Sequence, residues 1–504
     1  MLLKQYSQVC VEFLYEMPQN QFLMRFNIKN FTVPHVFIFL SAIIFVCALL
    51  TYIVPAGQYN REVRNVGGIE QTFVIPGSYE ELPKHYSLKG VVLGEKIESK
   101  ASPTSFLGLF TAIPKGLHQS ATLIFFVFTI GAVFNLIRQT GTVHVVMHGL
   151  MSRFRRTPYL LIVAVYFTIA TLSSFLGMGM EFIPLIPLFM IISKANGYDR
   201  IFGLAIFALP FSLGWTSAIT NPFNVQIAQK IAEVPIGSGI ALRLVIFVIL
   251  TGVGYLYLMR YGKRVKRNRS LSAMPDDSFI LPDDGHNEHT KLERKHILIM
   301  ITAAILFALI LFAVQTMGWG IIEMTGGFFA VGLITIFLSG MSGDESMKAF
   351  VKGLEIMIIP ALVIGFARGI QVVIVEGQIL DTMLNSTASL LEVIPEYLAV
   401  EGMFFFQSLL NFFIPSASGQ ALVSMPLMTP LADLLGVSRQ ATVLAYTLGD
   451  GLSNLVVPTS GFLMAILGLA EIPYEKWIRF IMPLFLILTL IAMLILGVTT
   501  AIGY

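Results

Sequence analysis

The chain of 504 residues is 55% hydrophobic and only 12% charged, with a mean hydropathy of +0.77. Soluble proteins carry about 25% charged residues, so this composition excludes an ordinary soluble protein and predicts a polytopic protein of the lipid bilayer. The net charge of +3 is small and unevenly placed, so we expect it to orient the chain in the membrane, with no nucleic-acid partner.

The first half of the chain is expected to span residues 31–259, after a cytoplasmic N-terminus at 1–30. Its first uncharged apolar run, Val36–Val54, is long enough to cross about 30 Å of hydrocarbon. Residues 55–105 are polar and rich in turn residues (PAGQY, IPGSYEELP), so they predict an extracytoplasmic loop. The remaining expected elements are an amphipathic helix at 106–117, spans at 121–137 and 240–258, a hairpin at 159–195 and a broken span at 201–232.

Basic residues mark the cytoplasmic ends of these spans. RFRR lies between two spans, and six of the eleven residues from Met259 to Arg269 are basic. Residues 260–295 therefore predict a cytoplasmic linker. The second half, 296–504, follows with spans at 296–316, 326–338, 356–375 and 478–498, an amphipathic helix at 346–354, a hairpin at 398–433 and a second broken span.

One stretch occurs twice, at Ser173–Pro235 and at Asn411–Pro473. A shift of about 238 positions aligns Pro187 with Pro426 and the sequence AEVP with AEIP. Both copies are apolar but interrupted by Gly, Pro, Ser and Asn, and an interrupted backbone survives in a bilayer only where it is buried in protein or lines a cavity. Paired interruptions of this kind indicate a transporter's binding site.

Counting spans from a cytoplasmic N-terminus places both basic clusters inside and makes the two halves run in opposite directions. The predicted fold is therefore an all-α polytopic membrane protein with inverted repeats. We expect it to contain two re-entrant helical hairpins and two broken transmembrane helices.

Two carboxylates lie at the interruptions, Glu181 beside the first hairpin tip and Asp450 inside the second broken span. A carboxylate at mid-membrane costs about 2.5–3.5 kcal/mol and usually has a function, although each could instead cap a half-helix. Arg368 could neutralise one of them or contact the solute. The other candidate substrate- or ion-binding residues are small or polar, and could alternatively serve only to satisfy freed backbone groups: Gly177, Gly179, Ser217, Thr220, Asn221, Asn224, Ser416, Ser418, Gln420, Ser453, Asn454, Thr459 and Ser460.

The histidines do not indicate a metal site. His144 and His148 adjoin a basic segment without a carboxylate partner, and His286 and His289 lie in the hydrophilic linker, so we expect all four to be solvated. No catalytic, metal or cofactor site is predicted. A coupling Na⁺ or H⁺ is the expected inorganic ligand.

From Val33 onward the chain resembles the DcuC/YfcC-type C4-dicarboxylate anaerobic carrier family of the ion transporter superfamily. The residues that carry this resemblance are VPAGQYNR at 54–61, VIPGSYEEL at 74–82, LFTAIPKGL at 109–117, TGTV at 140–143, NPFNVQ at 221–226, PSASGQ at 415–420 and GDGLSNLVVPTSG at 449–461. The resemblance implies an elevator-type carrier of the cytoplasmic membrane, usually a homodimer. Relatives have Ser-Asn-Thr-like hairpin tips, whereas the tips here are Gly177-Met178-Gly179 and Ser416-Ala417-Ser418.

The leading functional interpretation is an ion-coupled secondary transporter, symporter or antiporter, of a small organic solute, and not an enzyme. Two acids and one base around the inferred site favour an amino acid of the arginine or ornithine type, because an amino or guanidinium group pairs with a carboxylate. A C4-dicarboxylate carrier coupled to sodium or protons is the alternative. A membrane-embedded hydrolase using Asp450, or a channel, would belong to a different class.

The topology can be tested by cysteine labelling in a variant that lacks Cys10 and Cys47. We expect Lys89→Cys to react with an impermeant maleimide from outside, and Arg264→Cys to react only after the membrane is permeabilised. Labelling at position 89 from the cytoplasmic side alone would contradict the predicted orientation.

Overall fold

A computed structural model describes residues 36–66, 69–95, 97, 100–143, 145, 158–275, 293–392 and 395–504. The predicted cytoplasmic N-terminus, the RFRR segment, the four histidines named above and residues 276–292 of the linker lie outside these residues.

The described helices include segments at the predicted spans and hairpins, together with two helices, Leu88–Leu93 and Leu380–Glu392, that were not predicted from the sequence. In the first half they are α1 Val36–Ile53, α2 Leu88–Leu93, α3 Phe106–Gln119, α4 Ala121–Gln139, α5 Pro158–Leu176, α6 Ile186–Ala195, α7 Arg200–Ser217, α8 Val225–Ile231 and α9 Ile240–Arg267, with 3₁₀ turns at Met180–Leu185 and Arg269–Leu271. In the second half they are α10 Arg294–Met317, α11 Ile321–Ser339, α12 Gly343–Ile356, α13 Ile358–Glu376, α14 Leu380–Glu392, α15 Glu396–Phe413, α16 Ala417–Leu434, α17 Arg439–Ser453, α18 Gly461–Leu469 and α19 Tyr474–Ala501. Within the described ranges, 8 helical stretches are long and apolar enough to cross a membrane.

The prediction of an all-α chain is wrong for the 55–105 loop. Strands β1 Ala56–Gln58 and β4 Glu80–Leu82 pair antiparallel, and β2 Arg61–Val66 and β3 Ile69–Val74 form a second antiparallel pair in which Arg61 lies opposite Val74. These segments are too polar to be spans, so their backbone groups bond between short strands instead of within a helix.

Asp381, at the start of α14, attaches this loop to the helices. Its carboxylate is buried and accepts from the backbone N–H of Tyr59 at 2.9 Å and from Arg61 Nη2 at 2.7 Å. The hydroxyl of Tyr79 lies 3.0 Å from that of Thr382. The loop is therefore held against α14 by buried polar contacts.

Helices of the first half pack closely against helices of the second half at glycines. A Cβ on Gly116 of α3 would lie 2.3 Å from the carbonyl oxygen of Gly365 in α13. A Cβ on Gly353 of α12 would lie 2.5 Å from the carbonyl oxygen of Gly131 in α4. Small residues let helix backbones approach this closely. The amphipathic helix of each half thus packs against a span of the other half.

The broken segments also cross between halves. Arg200, at the start of α7, pairs with Glu471 after α18 at 2.9 Å, and Arg439, at the start of α17, pairs with Glu233 after α8 at 2.8 Å. Both glutamates have positive φ, 56° for Glu233 and 50° for Glu471. The beginning of each broken segment lies beside the end of the other, so α7 and α17 run antiparallel and their broken ends meet.

Removing the Asp381 carboxylate should loosen the loop. Asp381→Ala leaves Arg61 and the Tyr59 N–H without their acceptor. This should lower the free energy of local unfolding by about 1–3 kcal/mol and speed proteolysis of the 55–105 loop roughly 10- to 100-fold. Cleavage of proteoliposome-bound protein measures this, with the exposed Glu80→Ala as the matched control. Equal cleavage of the two variants would contradict the assigned role of Asp381.

Candidate solute-binding site

A cavity of about 360 Å³ lies where the hairpin tips and the broken ends of α7 and α17 meet. The connection between α10 and α11 closes one side of it. The described residues that line it are Gly177, Gly179, Met180, Glu181, Phe211, Ser212, Trp215, Phe223, Val314, Trp319, Gly320, Ile321, Met324, Pro415, Ser416, Ala417, Ser418, Gly451, Asn454, Ser460 and Phe462.

The first hairpin tip brings its backbone close to α7. Gly177 has a φ of +70°, a conformation that side chains disfavour, and a Cβ there would meet Asn221 and Phe223. A Cβ on Gly179 would lie 1.9 Å from the ring of Phe211. Glycine is therefore required at the tip by both backbone conformation and space.

Glu181 is the ionisable side chain among the described lining residues. Its residue is 8% exposed, and its Oε2 accepts from the Gly179 N–H at 2.6 Å. The carboxylate thus stabilises the turn that places it at the cavity.

Aromatic rings form much of the remaining wall. Phe211, Trp215, Phe223, Trp319 and Phe462 line the cavity, and the rings of Phe211 and Phe462 lie 4.6 Å apart. Aromatic faces attract organic cations, especially beside a carboxylate and away from water.

Two helix N-termini also open onto the cavity. Ser416 caps α16 by accepting from Gly419 N–H, and Ser460 caps α18 by accepting from Leu463 N–H. Helix N-termini carry partial positive charge and bind carboxylates. The cavity therefore combines one acidic position with two anion-attracting positions.

Asp450 lies behind the lining and is fully buried. It accepts from Trp215 Nε1 at 3.0 Å and from Asn454 Nδ2 at 3.3 Å. Because Trp215 and Asn454 both line the cavity, a change at Asp450 would be transmitted to the cavity through these two side chains.

The other predicted residues of the first break do not line the cavity. Ser217 shares a hydrogen bond with Ser174, and Thr220 donates to the carbonyl of Phe175. Asn221 donates to the carbonyl of Ser173, and Asn224 to that of Trp215. Ser217, Thr220 and Asn221 thus fasten the break to the hairpin arm, and Asn224 bonds back to α7.

In the second half, Asn411 organises the break and was not predicted. Its Nδ2 donates to Ser453 Oγ at 2.8 Å and to Asn454 Oδ1 at 3.0 Å. Gln420 donates to the Gln407 carbonyl instead of lining the cavity, and buried Thr459 Oγ1 has no hydrogen-bond partner among the described residues. Asn411 was visible in the sequence, because it precedes the tip as Ser173 does in the first copy.

The prediction for Arg368 is corrected. Its Nε donates to Gln119 Oε1 at 3.2 Å, and no described ion pair links it to Glu181 or Asp450. The cation that adjoins the broken ends is Arg243, which is fully buried in the first turns of α9. Asp450 was singled out because a charged residue inside the membrane usually has a function. The same reasoning would have singled out Arg243, since it lies within a predicted span.

Among the described residues, no cluster of three or more His, Cys, Asp or Glu could hold a metal.

The sequence matches the profile of the family described as "C4-dicarboxylate anaerobic carrier" over residues 33–501. It is 31% identical to the "Putative basic amino acid antiporter YfcC" of Escherichia coli (strain K12), covering 90% of this chain and 93% of that protein. An uncharacterized protein of Haemophilus influenzae is 26% identical, with 93% and 97% covered.

Two solved transporter structures are similar over nearly the whole chain. The Alcanivorax borkumensis YdaH transporter gives a TM-score of 0.38 at 18% identity, covering 94% of this chain and 99% of that one. Neisseria gonorrhoeae MtrF, from a class of antimetabolite efflux pumps, gives 0.37 at 13% identity, covering 93% and 96%.

The close contact at Gly179 gives a direct test of the cavity geometry. Gly179→Ala should destabilise the tip by about 1–3 kcal/mol, because its methyl group overlaps the Phe211 ring. Solute binding by the purified protein should weaken, whereas Gly252→Ala, a helical glycine with open space around it, should bind as wild type. Adding Phe211→Leu to Gly179→Ala should restore part of the loss, and an unaffected Gly179→Ala would contradict the geometry.

Proposed function

Because the chain belongs to the C4-dicarboxylate anaerobic carrier family, a family of secondary membrane transporters, we propose that it exchanges basic amino acids of the arginine or ornithine type across the cytoplasmic membrane. The observation that carries this proposal is the combination of Glu181 with aromatic rings in the cavity wall. The name of the Escherichia coli relative supports the same solute class.

The cavity suits the two ends of a zwitterion that carries a cationic side chain. The ammonium or guanidinium group pairs with Glu181 and lies against the aromatic rings. The α-carboxylate takes the N-termini of α16 and α18, beside Ser416 and Ser460. Two of the three charged groups of the solute, one cationic group and the α-carboxylate, then have a partner.

A C4-dicarboxylate is the second candidate, because the same N-termini and the family description favour an anion. Its second carboxylate would face Glu181 or the aromatic wall. Like charges within about 4 Å repel by roughly 4 kcal/mol near a protein surface, so this solute requires a protonated Glu181 or a bound cation. The basic amino acid requires neither.

The transport cycle we propose is of the elevator type. The hairpins and broken segments, α5–α9 and α15–α19, move as one body against α1, α3, α4 and α10–α13, and the halves are inverted copies with re-entrant hairpins. A homodimer with cytoplasmic N-termini provides the fixed frame. The antiparallel arrangement of α7 and α17 supports this symmetry. A hydrolase is disfavoured because, within the described ranges, Asp450 bonds Trp215 and Asn454 and no second acid.

Counterflow in proteoliposomes tests the proposal. Vesicles loaded with arginine should take up labelled arginine or ornithine, and external lysine-type solutes should compete better than succinate or fumarate. Glu181→Gln should lower uptake at least about ten-fold by removing the charge while keeping the shape. Glu401→Gln, a buried acid outside the cavity, is the matched control and should retain uptake.

Sodium-dependent succinate uptake without a response to any amino acid would overturn the solute assignment and favour the dicarboxylate carrier.

Asp450→Asn should also abolish accumulation while leaving the amount of protein in the membrane nearly unchanged. Wild-type transport in that variant would make Asp450 a structural residue.

A further inference from the structure

Arg243 is a fully buried cation for which the structure describes no ion pair. It lies near the start of α9, beside the broken end of α7. A charged side chain inside the membrane is costly and normally has a function. The solute cavity does not explain it, because Arg243 is not among the lining residues described above.

The Arg243 guanidinium occupies the oxygens at the first break. Its Nη1 donates to the carbonyls of Ser217 and Ala218, both at 3.4 Å, and to Thr447 Oγ1 at 3.1 Å. Ala218 has a φ of +41°, so its carbonyl leaves the helix axis at the end of α7. Two carbonyls at the negative end of a helix and a hydroxyl are ligands that suit a hard cation such as Na⁺.

Two carbonyls just beyond the end of α17 are also occupied. Leu455 and Val456 follow Ser453, the last residue of α17, by two and three positions. The Leu455 carbonyl accepts from Trp477 Nε1 at 2.9 Å, and the Val456 carbonyl from the Tyr474 hydroxyl at 2.5 Å. Both donors are neutral and lie at the start of α19, the helix that corresponds to α9. The donors described at these two carbonyls of the second break are neutral, whereas Arg243 at the first break is charged.

Unwound carbonyls at half-helix ends are where secondary transporters coordinate coupling ions. We propose that Arg243 is a built-in cation at the first break, and that the carrier therefore runs without Na⁺ at either break. This inference rests on the proposed exchange of amino acids, and it names the coupling of that exchange. Asp450 follows Thr447 by one helical turn, so the guanidinium also positions the helix that carries Asp450.

A binding measurement without solute tests this directly. The thermal midpoint of purified wild-type protein should differ by less than about 1 °C between NaCl and choline chloride at equal ionic strength. Arg243→Gln removes the charge and vacates the carbonyls, so Na⁺ should raise its midpoint by at least about 3 °C. Trp477→Phe removes a neutral donor at the second break, while Tyr474 remains, and should stay insensitive to Na⁺.

A sodium-induced shift of the wild-type midpoint overturns the inference. So does an Arg243→Gln protein that folds and does not respond to Na⁺, or a Trp477→Phe protein that responds equally. Arg243→Lys keeps the charge, so its thermal midpoint should not respond to Na⁺. If the glutamine variant does not fold, the wild type and Arg243→Lys decide the test, and a Na⁺ response in either one overturns the inference.

Arginine counterflow completes the test. Wild-type exchange should change less than about two-fold when choline replaces Na⁺, whereas Arg243→Gln should lose at least about ten-fold in choline and regain part of it in Na⁺. Wild-type exchange that requires Na⁺ overturns the built-in cation but leaves the solute assignment standing. Absence of exchange in every salt, with the midpoints as expected, overturns the solute assignment alone.

Discussion

Every part of this protein near the cavity depends on one constraint, that a backbone group freed from a helix inside the membrane must find another partner. The ends of α7 and α17 each free carbonyl groups, and side chains from neighbouring elements occupy them. Arg243 does so at Ser217 and Ala218, and Trp477 and Tyr474 do so at Leu455 and Val456. The breaks can therefore persist as fixed features that line the cavity.

The same constraint separates residues that hold the breaks from residues that line the cavity. The arm of the first hairpin forms hydrogen bonds with the side chains of Ser217, Thr220 and Asn221. Glu181, Ser416 and Ser460 remain at the cavity, where they offer one negative and two positive ends. The proposal of a zwitterionic solute with a cationic side chain rests on this arrangement of charge.

Much of the architecture was predictable because hydrophobic runs and their interruptions are local features of the sequence. The hairpin break at Gly177-Met178-Gly179 and the ends of α7 and α17 lie where Gly, Pro and Asn interrupt apolar residues. The strands at 56–82 were missed because their pairing depends on turns and on contacts with Asp381, some 300 residues later. Arg368 was considered as a charge partner or a solute contact, yet its position on α13 places it against Gln119. Which polar residues face the cavity is decided by tertiary hydrogen bonds, and no pattern in the sequence encodes those.

The glycine contacts between halves have a consequence for how the protein is made. The face of α3 at Gly116 finds its partner at Gly365 of α13, and that of α12 at Gly353 finds its partner at Gly131 of α4. During synthesis the first half therefore enters the membrane with its close-packing surface uncovered for roughly 250 residues of translation, about 10–50 s at 5–20 residues per second. Assembly must wait for the second half, so a chain truncated at the linker would leave these surfaces open to other membrane proteins and to quality-control proteases.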